Sequence, residues 1–93
     1  SEGKALEFKE NCRPLQGIVK TVISFANTAG GTILIGVRDK TKEIVGVENV
    51  LEEEKRLANA IADSISPLLM PDIFIQSARG KEFLVIQVSH GIG

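Results

Sequence analysis

The sequence FANTAGGTILIGVRD, residues 25–39, predicts the centre of the fold. Its glycine pair follows an apolar helix pattern, and Gly30 can take the left-handed conformation that ends a helix. The run GTILIGV, residues 31–37, is apolar on both faces, which is typical of a central strand covered on both sides. Glycine loops that bind phosphate precede a helix and use its free N–H groups. Because this pair follows a helix, we interpret it as a helix stop.

On the N-terminal side, the sequence predicts a helix and, before it, a strand. From Pro14 onward, apolar residues recur at the spacing of one helix face, namely at Leu15, Ile18, Val19, Val22, Ile23 and Ala26. The segment ALEFKE, residues 5–10, alternates apolar and charged residues, as a half-buried strand does. We expect Leu6 and Phe8 to face the core, with the charged residues on the opposite face.

On the C-terminal side, a hairpin, a second helix and two further strands follow. The polar turn RDKTKE and the short run EIVGV make residues 32–47 a predicted hairpin. Asn49 and Glu52 match the spacing of a capping box, and the helix that they begin cannot continue through Pro67. The runs DIFIQSA and EFLVIQV predict two strands. In the scaffold alternative below, the second of them would be an edge that pairs with another chain.

Together these elements predict an α/β (α+β) fold. The sheet is mixed, with about four main strands plus a short hairpin strand and two helices, in the order β-α-β-β-α-β-β. The chain has 93 residues, of which 43% are hydrophobic, and this fits a single domain over residues 1–93. Its abrupt ends indicate a fragment of a longer protein.

The composition excludes several classes of protein. One cysteine excludes an internal disulfide, and one histidine excludes a His-rich zinc site. No apolar run approaches the roughly 20 residues that a membrane helix needs. No signal peptide precedes the first strand, so we expect a cytoplasmic protein that has no membrane partner.

Charge is unevenly distributed along the chain. Residues 1–42 carry seven basic and four acidic side chains, a net charge of +3, whereas residues 43–93 carry four basic and eight acidic ones, a net charge of −4. A basic half can face a polyanion, although a chance asymmetry would look the same. The candidate phosphate-binding residues come from the first strand, its exit and the first hairpin: Lys4, Lys9, Arg13, Arg38, Lys40 and Lys42.

We expect this binding to need no cofactor and to have low sequence specificity. Neither predicted helix carries a row of Arg and Asn suited to base edges. The chain has four Phe, no Trp and no Tyr, and the Phe residues fit core patterns, so stacking of bases on aromatic side chains is not expected.

The segments LEFK (residues 6–9), FANTAGGTILIGVRD (25–39) and IVGV (44–47) carry a family resemblance. In this order and spacing, the chain resembles the Alba-like DNA-binding domain that is also found in Schlafen proteins. The resemblance extends over almost all of the chain. It implies nucleic-acid binding, with DNA favoured over RNA, in a transcriptional regulator or a RecG-related, helicase-like protein. The chain itself has no phosphate-binding loop of the GxxxxGK[ST] type and cannot be an ATPase by that route.

The resemblance also implies a candidate metal site. In the nuclease branch of Schlafen proteins, three carboxylates form a metal-dependent RNA-cleaving site, and their positions correspond to Glu2, Glu7 and Asp39. If these carboxylates converge, they could hold Mg²⁺ or Mn²⁺ as catalytic metal ligands. Lys9, on the same strand face as Glu7, could contact a phosphate. Equally, Glu7 could form an ordinary surface ion pair, and Asp39 could simply begin a turn.

Three functions therefore remain open from the sequence. The first, which we favour, is a nucleic-acid-binding module. The second is a metal-dependent nuclease that cleaves RNA or DNA with Glu2, Glu7 and Asp39. The third is an oligomerisation scaffold, a homo-oligomer that does not bind nucleic acid.

Overall fold

A computed structural model describes residues 5–66 and 69–91 of the chain. The elements, in chain order, are β1 (Ala5–Lys9), α1 (Leu15–Ala26), β2 (Gly31–Ile35), α2 (Val50–Ala62), β3 (Asp72–Ala78) and β4 (Lys81–Val88). The four strands form one mixed sheet in the order β1-β2-β4-β3. β1 and β2 are parallel, while β4 is antiparallel to both β2 and β3. The predicted fold class is confirmed.

The predicted short hairpin strand is present as a single β-bridge between Val37 and Ile44. Two glycines with positive φ, Gly36 (103°) and Gly46 (82°), prevent a longer ladder, because a regular strand needs negative φ. The backbone N–H groups of Val45 and Gly46 both donate to the Gly36 carbonyl, at 2.8 and 3.0 Å. Residues 36–47 therefore form a compact loop between β2 and α2 that contains one isolated β-bridge.

Both helices pack on the same face of the sheet. Most of the apolar stripe predicted for α1 is buried there, with Leu15 and Ile23 half-buried at its margin. α2 adds Leu57 and Ile61, both fully buried. They meet Ile33 and Ile35 of β2 and the alternate β4 residues Leu84, Ile86 and Val88. This cluster is the main core of the protein.

Within residues 5–66 and 69–91, no helix lies on the opposite face of the sheet, called the second face. This face carries Leu6, Phe8, Leu34, Phe74, Phe83 and Val85. The prediction that Leu6 and Phe8 face the core is wrong for Leu6, whose exposed fraction is 57%. Phe8 is half-buried in a smaller cluster on the second face. The strand register explains this, since Phe8 lies beside Leu34 whereas Glu7 lies beside Ile33 on the helix side.

β4 lies inside the sheet, which corrects its predicted role as an edge strand. It is bonded to β2 on one side and to β3 on the other. Four consecutive residues, Phe83 to Ile86, are buried. The helices cover Leu84 and Ile86, whereas neighbouring side chains of the second face pack against Phe83 and Val85. The edges of the sheet are β1 and β3.

The glycine pair ends α1, as predicted. Gly30 has φ of 86°, and its N–H donates to the Phe25 carbonyl at 2.9 Å. The Thr28 hydroxyl donates to the Ser24 and Phe25 carbonyls at 3.0 and 3.2 Å. A Cβ on Gly31 would lie 2.7 Å from both the Ala5 carbonyl oxygen and the Phe25 ring, so this position leaves no space for a side chain.

Candidate nucleic-acid interface

Most of the predicted cations lie at one end of the sheet. The parallel strands β1 and β2 both finish there, and the N–H groups of Gly36 and Val37 donate to the Lys9 carbonyl at 2.8 and 3.2 Å. β4 starts at the same end, because it is antiparallel to β2 and pairs Leu84 with Ile35. We call this region, residues 9–13, 36–44 and 79–81, the basic end.

The basic end is positively charged although the chain as a whole is not. It contains seven Lys and Arg against three acids, a net charge of +4, whereas the net charge of the whole chain is −1. The cations come from three separate segments, and the sheet order brings these segments together. Lys4, the remaining predicted phosphate-binding residue, lies outside the described residues.

Most of these cations have acidic partners. The ion pairs join Lys9 to Glu7 (3.5 Å), Arg13 to Glu53 (3.4 Å), Arg38 to Glu43 (3.6 Å) and Glu10 (3.8 Å), and Lys42 to Asp39 (3.7 Å). The cationic side chains in these pairs are 32–55% exposed. Exposed pairs contribute under about 1 kcal/mol, so a phosphate oxygen can replace the carboxylate. In residues 5–66 and 69–91, no ion pair involves Lys40, Arg79 or Lys81.

The sequence did not identify Arg79 and Lys81 as candidates, and the structure places them beside Lys42. They line one surface cavity of about 630 Å³, together with Thr41, Lys42, Glu43 and Ile44. In the sequence, Arg79 lies between the two predicted strands DIFIQSA and EFLVIQV, far from the cations of the first half. The missing information was the sheet order, which returns the β3–β4 turn to the end where β2 finishes.

Lys42 is held against the second face. Its ammonium group lies 4.1 Å from the centre of the Phe8 ring and donates to the Asp39 carbonyl. A cation over an aromatic ring is stabilised by about 0.5–1 kcal/mol at an exposed site. Lys42 therefore connects the basic end to the apolar second face.

The two predicted metal ligands within the described residues lie in different settings. Glu7 is on the helix side of β1, with a side chain that is 42% exposed, and Asp39 is in the turn after β2, where its side chain is 76% exposed. Glu2 lies outside the described residues. Within those residues, no group of three or more His, Cys, Asp or Glu side chains is placed to hold a metal ion. A metal site would therefore depend on Glu2 as a third ligand.

A second cavity, of about 390 Å³, has Arg13 in its wall. It is lined by Asn11, Cys12, Arg13, Gly46, Val47, Glu48, Asn49 and Glu53. Burial, followed by the Glu53 carboxylate, raises the pKa of the Cys12 thiol to about 11. The thiol is thus protonated at neutral pH and is a poor nucleophile.

No helix within the described residues is both long enough and apolar enough to span a membrane.

Comparisons with known proteins point to one family. A family model described as Schlafen, AlbA_2 matches residues 2–92. An uncharacterized ATP-binding protein of Ureaplasma parvum serovar 3 is 32% identical over 74 residues, which cover 77% of this chain and 21% of that protein.

Two solved structures have the same fold. A crystal structure of a Corynebacterium diphtheriae protein gives a TM-score of 0.73 at 24% identity, covering 95% of this chain and 20% of that one. The solution structure of the N-terminal domain of a Nitrosomonas europaea protein, described as related to the ATP-dependent DNA helicase RecG, gives 0.68 at 24% identity, covering 91% and 61%. The chain thus spans about a fifth of the Ureaplasma parvum and Corynebacterium diphtheriae proteins.

Proposed function

The chain belongs to the Schlafen, AlbA_2 family, and we propose that it is a nucleic-acid-binding domain with low sequence specificity. It binds phosphates through the basic end and prefers DNA to RNA. The longer protein is a cytoplasmic transcriptional regulator or a helicase-related protein. The description of the Nitrosomonas europaea neighbour as RecG-related supports this direction.

The net charge of the basic end is the observation that carries the proposal. Three of its cations share one cavity, and two of these three, Arg79 and Lys81, have no ion pair in the part of the chain that the structure describes. Such a cluster attracts a polyanion at long range and contacts phosphate oxygens at short range.

The sequences of the two helices support low specificity, and the acidic start of α2 keeps a phosphate backbone away from that helix. The first turn of α2 holds Glu52 and Glu53, with Glu54 directly after them. These carboxylates would repel a phosphate backbone. Neither helix has a row of Arg and Asn suited to base edges in the major groove. Binding therefore depends mainly on the phosphates.

A salt titration tests the proposal. The chain is added to fluorescent single- and double-stranded DNA and RNA of about 20 nucleotides, and anisotropy is read at several salt concentrations without metal. We expect dissociation constants of about 10⁻⁴–10⁻⁶ M at physiological salt, weakening as salt rises. No binding of any probe at about 100 μM would overturn the proposal.

The variant Lys42→Gln/Arg79→Gln/Lys81→Gln tests where the phosphates bind. For every phosphate that the variant no longer binds, the slope of log K against log salt should fall by about 0.9 on duplex DNA. The matched control is Lys55→Gln, because Lys55 is exposed on α2, outside the basic end. The control should bind as the unmodified chain does. If the triple variant keeps the original slope, the phosphates bind elsewhere.

A second candidate function is metal-dependent cleavage of RNA or DNA by Glu2, Glu7 and Asp39. The pairing of Glu7 with Lys9 and of Asp39 with Lys42 favours it, since each carboxylate stands beside a group that can contact phosphate. Bound Mg²⁺ or Mn²⁺ would supply a Lewis acid for the phosphodiester. Probe cleavage that requires Mn²⁺ or Mg²⁺ and is abolished in Asp39→Asn, while Asp63→Asn retains it, would support this candidate. Cleavage by Asp39→Asn would exclude it.

The third candidate, a homo-oligomeric scaffold, now depends on β1 or β3, since β4 is internal. A mass from light scattering that rises with concentration, together with no nucleic-acid affinity, would favour the scaffold over the binding module.

A further inference from the structure

Aromatic side chains form part of the solvent-facing second face. One row crosses all four strands, with Phe8 of β1, Leu34 of β2, Val85 of β4 and Phe74 of β3 paired in register. Phe83 lies in the next row, opposite Gln76. Three of the four Phe residues are therefore on the second face, and none of these three belongs to the main core. The reason for not expecting base stacking, a core position, thus fails for the half-buried Phe8 and Phe74.

Two of these rings, Phe8 and Phe74, can serve as surfaces for bases. Phe83 is buried beneath its neighbours and only supports the second face. Phe8 is three strand spacings from Phe74, about 14 Å. Phe8 and Phe74 are half-buried, so part of each ring faces solvent. The rings can thus hold bases of one strand that have been unstacked from one another.

The groups around the rings complement a nucleic acid. The exposed amides of Gln76 and Gln87 lie on the same face and can bond base edges. Lys81 begins the strand that carries Phe83, and it shares its cavity with Lys42 and Arg79. The phosphates of a strand whose bases lie on the second face would therefore meet cations at the basic end.

We propose that the second face binds single-stranded nucleic acid, with a base stacked on the half-buried ring of Phe74. This inference rests on the proposed function and names the ligand class. Lys42 covers the Phe8 ring in the free protein; when it moves to a phosphate, it exposes that ring for a second base. A base in a duplex keeps its faces against its neighbours and cannot stack on a protein ring. The cations of the basic end still bind duplexes through phosphates.

The test uses Phe→Leu variants, which keep an apolar side chain but remove the ring. Phe74→Leu and Phe8→Leu should each weaken binding of a fluorescent oligothymidine of about 20 nucleotides by about tenfold. Binding of a duplex of equal length should change by less than about twofold. Ile73→Leu is the matched control, since Ile73 is on the same strand but faces the helices. It should leave both affinities unchanged.

A measurement on the unmodified chain covers the case in which a variant fails to fold. An oligonucleotide that contains bromodeoxyuridine is photo-crosslinked to the chain, and the attached peptides are identified by mass spectrometry. Attachment within residues 72–78 or 82–88 supports the inference. Attachment confined to the basic end, residues 9–13, 36–44 and 79–81, contradicts it.

The outcomes separate this inference from the proposed function. Both proposals stand if the triple variant Lys42→Gln/Arg79→Gln/Lys81→Gln binds both probes more weakly and the Phe→Leu variants bind only the single strand more weakly. If the triple variant binds both probes more weakly but the folded Phe→Leu variants bind both normally, the proposed nucleic-acid binding stands and the inference about the second face falls. The second face would then bind another partner, such as a protein. If no probe binds at about 100 μM, both proposals fall.

Discussion

Gly30 lies where the end of α1, the start of β1 and the end of β4 meet. Its carbonyl accepts a hydrogen bond from the Ala5 N–H at 3.2 Å. A Cβ at this position would lie 2.5 Å from the Val88 carbonyl oxygen and 3.1 Å from the His90 nitrogen. The sequence predicted the left-handed φ of Gly30, because a glycine after a helix is a local signal. It could not predict the close backbone contacts, which come from strands distant in sequence.

We expect Gly30→Ala to lower the free energy of unfolding by about 2–4 kcal/mol. About 1–2 kcal/mol comes from the left-handed φ, and the rest comes from the clash with backbone. Gly80→Ala is the control for φ alone, since Gly80 has φ of 76° and no atom within 4 Å of the added Cβ. It should cost about 1–2 kcal/mol. Urea denaturation measures the unfolding free energy of both variants. If the two variants lose the same free energy, the backbone around Gly30 moves to accept a Cβ at no further cost.

Among the elements, the helices were easier to predict than the faces of the strands. The apolar spacing of α1 identified Ile18, Val19 and Val22, which are all buried. In β1, the alternation separated two faces but did not indicate which one the helices cover. Leu6 and Phe8 were therefore assigned to the core, and they lie on the second face. The deciding information was the register with β2, which depends on long-range pairing.

The start of α2 departs from the predicted capping box. Asn49 is at the N-cap position, but its φ is 52° and its side chain makes no capping hydrogen bond. Asn tolerates this left-handed conformation better than most residues. We therefore infer that Asn49 is suited to this position by its backbone conformation rather than by its side-chain oxygen.

Substitution of Asn49 tests this inference. Serine is a good N-cap but does not favour positive φ, so Asn49→Ser should lower the free energy of unfolding by about 1 kcal/mol. Asn49→Gly should change it by less than about 0.5 kcal/mol, because glycine adopts positive φ readily. Thermal unfolding followed by circular dichroism measures both. If Asn49→Ser is as stable as the unmodified chain, the side-chain cap is the important feature after all.

For the whole molecule, the order of the strands decides both the sheet and the candidate site. Local patterns predicted the strands themselves but not that β4 lies between β2 and β3. The same order brings Arg79 and Lys81 to Lys42, although they are distant from it in sequence. Cations in the first half were predictable as a group because they are close in sequence. Those from the β3–β4 turn were not, because only the pairing of distant strands places them there.

Hydrogen exchange tests this arrangement in solution. Amides of β4 should exchange most slowly, because neighbouring strands flank β4 on both sides. Amides of β3 that point away from β4 should exchange fast, since β3 is an edge. The measurement is two-dimensional NMR or mass spectrometry at two protein concentrations. If the outward-pointing amides of β3 exchange slowly, and more slowly at the higher protein concentration, β3 pairs with a second copy of the chain.

The two ends of the described chain are both hydrogen-bonded to the segment 26–30, where α1 ends. The Ala5 N–H donates to Gly30, and the Gly91 N–H donates to the Ala26 carbonyl at 2.7 Å. Since β1 runs from Ala5 towards the basic end and β4 runs away from it, both attachment points lie at the far end of the sheet. A segment joined near Ala5 or Gly91 would therefore leave the sheet at the end opposite the basic end. It would not need to cross the surface through which the cations contact a ligand.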